Sequence, residues 1–128
     1  MFLDVKDEFA GNPKSFGRLD FAGQRITVRE LIHERVHEEM DRLGEQRKVG
    51  SSQVAPTDAE ARLNASRVLT TPKATSRALQ LETAERAFQR NEYFVLLDDR
   101  QAVDLDEVID LDATSNATFL LLTPLQGG

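Results

Sequence analysis

Phe94-Val-Leu-Leu-Asp-Asp-Arg-Gln-Ala-Val-Asp-Leu-Asp-Glu-Val-Ile-Asp-Leu111 and the closing run Ala117-Thr-Phe-Leu-Leu-Leu-Thr-Pro-Leu-Gln-Gly-Gly128 decide how this chain is read. The apolar run from Tyr93 to Leu97 is short and ends at Asp98-Asp-Arg100. It predicts a central, buried strand followed by a turn. Between Val103 and Leu111, Leu105, Val108 and Ile109 stand among acids. That pattern predicts a short strand, a helical turn, or both. Asn116 closes a loop, and residues 117–123 predict the last strand. Inside a fold, glycine serves special backbone angles. Gly127 and Gly128 instead follow the last strand as a thin thread with a carboxylate at its tip, able to enter a channel too narrow for side chains.

Working outward, residues 2–9 alternate, with Leu3, Val5 and Phe9 on one parity and Asp4, Lys6 and Glu8 on the other. This is the pattern of a half-buried strand. A turn at Ala10-Gly-Asn-Pro13 leads to a second strand with Leu19 and Phe21 inward, which makes a hairpin. Thr27-Val-Arg-Glu30 is a capping box, and Val28, Ile32, Val36, Met40 and Leu43 form an apolar stripe at helical spacing. Gly44 is the expected stop, with Glu45-Gln-Arg-Lys48 as an optional extra turn. Residues 49–72 read as a long irregular connection with a short helix near Asp58–Leu63. A second helix is expected over 73–90, with Pro72 in its first turn and Ala74, Ala78, Leu81, Ala84, Ala87 and Phe88 on its apolar side. The sum is an α+β domain spanning 1–128, a twisted mixed sheet with a helix across one face.

The two opening stretches, together with the hairpin and the Thr27-capped helix, resemble the ubiquitin-like β-grasp proteins, and in particular the ubiquitin-like modifiers of bacterial conjugation operons. The resemblance covers 1–47 and 92–128. The 48–91 insertion with its extra helix departs from ubiquitin, as does Pro124, which stands where ubiquitin carries an arginine. The resemblance implies the strand-strand-helix-strand-strand order and a flexible tail over 124–128. It implies that the Gly128 carboxylate, carried by Gly127, is adenylated at the expense of ATP and magnesium held by an activating enzyme. A conjugating-enzyme cysteine then takes the acyl group as a thioester, and an amine of a target protein receives it; a metal-dependent protease removes it. Leu122, Pro124, Leu125 and Gln126 would dock partners, although the last turn of core packing is an equal account of the patch and the better one for Leu122. The tail also resembles that of the sulfur carriers of molybdopterin synthesis, where the adenylate becomes a thiocarboxylate. A non-covalent β-grasp adaptor is a third reading. None of the three makes the chain an enzyme or gives it a cofactor of its own.

Composition narrows the rest. The net charge of −6 disfavours nucleic acid and anionic membranes as partners and fits basic protein surfaces. Cysteine is absent, which rules out disulfides and thiolate ligands. No apolar run approaches the ~20 residues of a membrane span, and the N-terminus is unlike a signal peptide, so a cytoplasmic location is expected. Asn64-Ala-Ser66 and Asn116-Ala-Thr118 are then chance sequons. His33-Glu-Arg-Val-His37 matches the zinc-peptidase H-E-x-x-H pattern. Its Glu34 points away from the helix's apolar stripe, however, and a third ligand would have to be a carboxylate such as Glu60. Two surface histidines are the expectation, and a zinc hydrolase is the least favoured function. The acids Asp98, Asp99, Asp104, Asp106, Glu107, Asp110 and Asp112 lack EF-hand spacing and read as a solvated edge facing a basic partner.

Overall fold

The structure is a computed structural model that describes residues 1–53, 68–71 and 76–122, with the backbone alone for 45–53. Within those residues the chain is α+β. In chain order it forms β1 (Phe2–Phe9), β2 (Asn12–Asp20), β3 (Arg25–Thr27), α1 (Val28–Gln53), α2 (Arg77–Gln89), β4 (Tyr93–Leu97), β5 (Arg100–Ala102), β6 (Val108–Asp110) and β7 (Asn116–Leu121). The main sheet runs β2-β1-β7-β4-β5, and β3 pairs with β6 in a separate two-stranded ladder. β1 and β7 lie parallel, whereas the other neighbours are antiparallel, so the sheet is mixed. This arrangement is compatible with a β-grasp fold.

The hairpin β1–β2 closes through Ala10 and Gly11, both at positive φ (54° and 80°), the two-residue turn that matches strand twist. Its register slips between Val5, opposite Gly17, and Lys6, opposite Ser15, which leaves Phe16 as the bulged residue. The bulge turns the Phe16 ring under α1, where Arg35 and Arg42 lie 3.5 and 3.9 Å from its centroid. Gly17 has φ +142°, and a Cβ there would come within 2.8 Å of an Arg42 guanidinium nitrogen. Phe9, expected inward, is 41% exposed because it lies at the last register of the hairpin, beyond the cover of α1.

The start of α1 is fixed three times over. Thr27 Oγ1 accepts from Glu30 N at 3.1 Å while Glu30 Oε1 accepts from Thr27 N at 3.4 Å, the expected capping box. Val28 N donates to Glu107 O at 3.0 Å and Arg29 N to Leu105 O at 2.9 Å, so the 105–107 turn takes two more of the helix's orphan N–H groups. The helix then runs through Gly44 to Gln53, past the expected stop, because Gly44 keeps negative φ and no left-handed cap forms. Val28, Ile32, Val36 and Leu43 are buried as the stripe predicts, and Met40 packs at its margin.

α2 begins later than expected, with Ser76 as its N-cap accepting from Leu79 N at 3.1 Å. Its end is a Schellman motif: Asn91 sits at φ 59°, Asn91 N donates to Phe88 O and Glu92 N to Ala87 O. Ala84, Ala87 and Phe88 are buried and Leu81 partly so, while Ala78 is exposed. The proposed Pro72 start, Ala74 and the short helix near 58–63 lie outside the described residues. β3 was not foreseen. The 103–111 segment is both a turn and a strand, since Glu107 N donates to Asp104 O before β6 begins. β7, not β4, is the central strand; β4 buries Tyr93, Val95 and Leu97 on one face only. Tyr93 lies between Phe88 and Phe119, each 6.1 Å away centroid to centroid, and its hydroxyl donates to Ala84 O at 2.7 Å. Burial raises the Tyr93 pKa.

Replacing Gly17 with alanine combines a left-handed backbone with a clash against Arg42. It is expected to lower unfolding free energy by roughly 1–3 kcal/mol, read by urea denaturation.

Candidate functional site

The tail-bearing strand occupies the centre of the sheet. Leu121 stands opposite Phe9 of β1 and Tyr93 of β4 and is buried, and the next residue, Leu122, is 51% exposed. Leu122 is therefore not core packing; it stands where the chain leaves the sheet. Pro124, Leu125, Gln126, Gly127 and Gly128 lie outside the described residues.

The helices cover one sheet face. The other face carries the alternate residues of each strand: Phe94 and Leu96 on β4, Thr118 and Leu120 on β7, Lys6 and Glu8 on β1, all half-buried or exposed. Phe94 is paired with Leu120, and Leu120 with Glu8; Leu96 is paired with Thr118, and Thr118 with Lys6. The apolar side chains thus gather at the β4–β7 seam, at the end where Leu122 departs, with one lysine and one glutamate on their β1 side. An apolar patch rimmed by charge is a protein-docking surface in outline.

The two histidines face α2. His33 Nε2 lies 2.8 Å from Glu85 Oε2, and Arg29 Nε donates to Glu85 Oε1 at 2.9 Å. Burial alone would raise the Glu85 carboxyl, but the His33 and Arg29 hydrogen bonds and charges outweigh it and hold the pKa below its ordinary value. Arg77 donates to His37 Nδ1 at 2.9 Å and to Asp41 Oδ1 at 3.0 Å. The two histidines of the H-E-x-x-H pattern therefore join two helices. Glu60 lies outside the described residues, and among those described no group of three His, Asp or Glu is placed to hold a metal.

Most of the acids foreseen as a solvated edge lock turns. Asp98 accepts from Ser115 N and Asn116 N at 3.2 and 3.0 Å and so fixes the start of β7. Asp104 and Asp110 each accept from the N–H two residues on, and Glu107 accepts from Val103 N and pairs with Arg100.

A buried polar network went unread in the sequence. Arg35 and Glu39 lie on the apolar face of α1 and are both essentially inaccessible to solvent. Arg35 donates to Glu39 Oε1 at 2.9 Å and to Asp7 Oδ2 at 2.7 Å. The Glu39 carboxylate accepts from Val68 N and Thr70 N at 2.8 Å each and from Leu69 N at 3.2 Å. Gln80 continues the grip, accepting from Thr71 N and donating to Thr71 O. Residues 68–71 are thereby strapped across α1 and α2, with Leu69 fully buried. The i,i+4 spacing of Arg35 and Glu39 was the available signal, but it is also that of a solvated surface pair. Burial pushes the Asp7 carboxyl above its ordinary value; the Arg35 charge and hydrogen bond offset only part of that rise. Asp7 Oδ1, Arg35 Nε and Thr70 Oγ1 are buried without partners, which adds to the network's cost.

Removing the Glu39 carboxylate (Glu39→Ala) strands the Arg35 charge and frees three strap N–H groups. A loss of about 3–5 kcal/mol is expected by chemical denaturation, with faster amide exchange at 68–70. Asp7 gives a second test. It binds its proton more tightly in the folded chain than in the unfolded one. Its contribution to stability is complete below its unfolded value near 3.8 and is lost as pH rises through the higher folded value. The stability of the wild type relative to Asp7→Asn should therefore grow as pH falls through that window. A pH-independent difference in urea titrations would contradict this.

The described residues contain no helix long and apolar enough to cross a membrane. The sequence matches no known protein-family model and no curated protein.

Proposed function

We propose that this chain is a ubiquitin-like β-grasp protein modifier whose Gly128 carboxylate is the reacting group. The observation that carries the reading is the position of β7. It is the central strand, parallel to β1, and it delivers Leu122 to the surface six residues before Gly128, beside an open apolar face. The order β2-β1-β7-β4-β5 with α1 across one face supports the same reading, with β3, β6 and the segment carrying α2 as additions to the basic pattern.

The chemistry runs through three acyl transfers on partner enzymes. A Gly128 carboxylate oxygen attacks the α-phosphate of ATP and expels pyrophosphate, giving the acyl-adenylate. A cysteine thiolate of the activating enzyme displaces AMP to form a thioester, which passes to a conjugating enzyme. A lysine amine of a target protein then displaces that thiolate, loses a proton and forms the amide; a metal-dependent protease reverses the linkage. The part of this chain is to present a side-chain-free thread and a surface to grip, with Phe94, Leu96, Leu120 and Leu122 as its apolar anchors and Pro124, Leu125 and Gln126 as tail contacts.

The test is to express the chain in its host with and without Gly128 and to examine adducts under thiol reductant. The intact chain should give larger species in which its C-terminal segment, ending at Gly128, is joined by an amide bond to target lysines, and the shortened chain none. Equal adduct formation by both chains would sink the reading. So would an intact mass showing oxygen exchanged for sulfur with no amide adducts, which would mark a sulfur carrier.

A further inference from the structure

The two outer strands of the main sheet are protected to different degrees. β2 is blunted along its length: Pro13 has no N–H to offer, Phe16–Gly17 is a bulge, and Arg42 donates to Phe16 O at 2.7 Å. Among the described residues, β5 has no such cover. It joins β4 through a two-residue turn, with Leu97 opposite Arg100, Leu96 opposite Gln101 and Val95 opposite Ala102. In such a ladder the pair flanking the turn exchanges hydrogen bonds, so Gln101 in the next pair turns its own N–H and C=O away from β4, toward solvent.

At the end of β5, between residues 101–105 and residues 88–94, lies a cleft of about 310 Å³. Its exposed lining is more polar than apolar: Gln89, Asn91 and Gln101 supply carboxamides, and Phe94 supplies an apolar side, with Phe88 and Leu105 buried behind it. At its margin stands Val103, 79% exposed, the highest value among the exposed large hydrophobic side chains described. The surroundings are acidic: residues 98–107 contain five acids, Asp98, Asp99, Asp104, Asp106 and Glu107, against Arg100, which pairs with Glu107, and Arg29 of α1, which pairs with Asp106, so three acids are in excess. Four of those acids are already tied to turns or arginines, so they hold their negative charge in fixed positions around the edge.

We propose that the outer edge of β5 and the cleft at its end receive an extended segment of a partner protein, added as a sixth strand, with one side chain at the cleft and lysine or arginine on its flanks. The two main-chain bonds at Gln101 seat the segment on the sheet, Val103 and the Phe94 side of the cleft offer it apolar contact, and the acidic margin selects cationic flanks and speeds encounter. This site is distinct from the tail and does not rest on the tail chemistry.

The probes are two synthetic nonapeptides with the same alternating Thr/Val/Leu centre, one ended by lysines and the other by glutamates. They are titrated into the full chain and followed by amide chemical shifts. The lysine peptide should shift residues 100–105, and the glutamate peptide should bind about tenfold more weakly or worse. Gln101→Pro removes an N–H that the sheet does not use and should cost the lysine peptide tenfold or more, whereas Gln101→Ala, which loses the carboxamide but keeps that N–H, should cost it much less. Asp99→Lys, which leaves the backbone alone, should weaken the lysine peptide and narrow the gap between the two. Deleting Gly127 and Gly128 should change nothing, which separates this site from the tail. Failure of both peptides to bind, shifts that map to another surface, or a folded Gln101→Pro chain that binds like the wild type would each overturn the proposal.

Discussion

One guanidinium holds four parts of this molecule in register. Arg35 lies on the buried face of α1. It bonds Asp7 of β1 and Glu39 one helical turn on, covers the bulged Phe16 of β2 and approaches Phe119 of β7 at 5.9 Å. A buried cation is tolerable only when its partners are fixed, and these partners come from separate elements. A one-residue slip in β1 would move Asp7 to the open face of the sheet and leave Arg35 with too little negative charge. The network therefore specifies which residues of β1 and β2 lie under the helix, a choice that apolar side chains make less sharply.

Specification of this kind explains which elements could be read in advance and which could not. The capping box, the alternating strand and the Val28–Leu43 stripe are local periodic signals, and the elements stand where those signals put them. Glu39 was invisible because its partners are main-chain N–H groups about thirty residues away, which have no signature in composition. The start of α2 was misplaced because Pro72 and Ser76 are both acceptable openings, and a tertiary grip on Thr71 by Gln80 separates the strap from the helix. Gly44 failed as a stop because glycine ends a helix only when the chain adopts positive φ. At the candidate site, Leu122 could be recognised as apolar but not as exposed, since whether a strand's last residue lies inside depends on how far its neighbours extend. The open face of Phe94, Leu96 and Leu120 was hidden in an apolar run that resembles a strand buried on both sides.

The position of β7 joins the fold to the proposed chemistry. A central strand is the least easily displaced part of a sheet, because it is bonded on both edges. Pulling or threading the residues after Leu122 through another protein would load β1 and β4 together. A tail leaving from an edge strand would peel away instead. The same geometry keeps the Phe94–Leu120 seam beside the exit, so a partner that holds the seam also fixes where the tail begins.

The strap has a consequence for how this domain could vary. Glu39 and Gln80 hold residues 68–71 through main-chain bonds, while Leu69 and Thr70 are buried and Val68 packs at the margin of the core. The main-chain bonds themselves read no side chain, so what limits change in that stretch is the space at positions 68, 69 and 70. The region between the two helices is thus a socket with a generic fastening, into which foreign loops could be grafted by evolution or by design while the sheet beneath stays as it is.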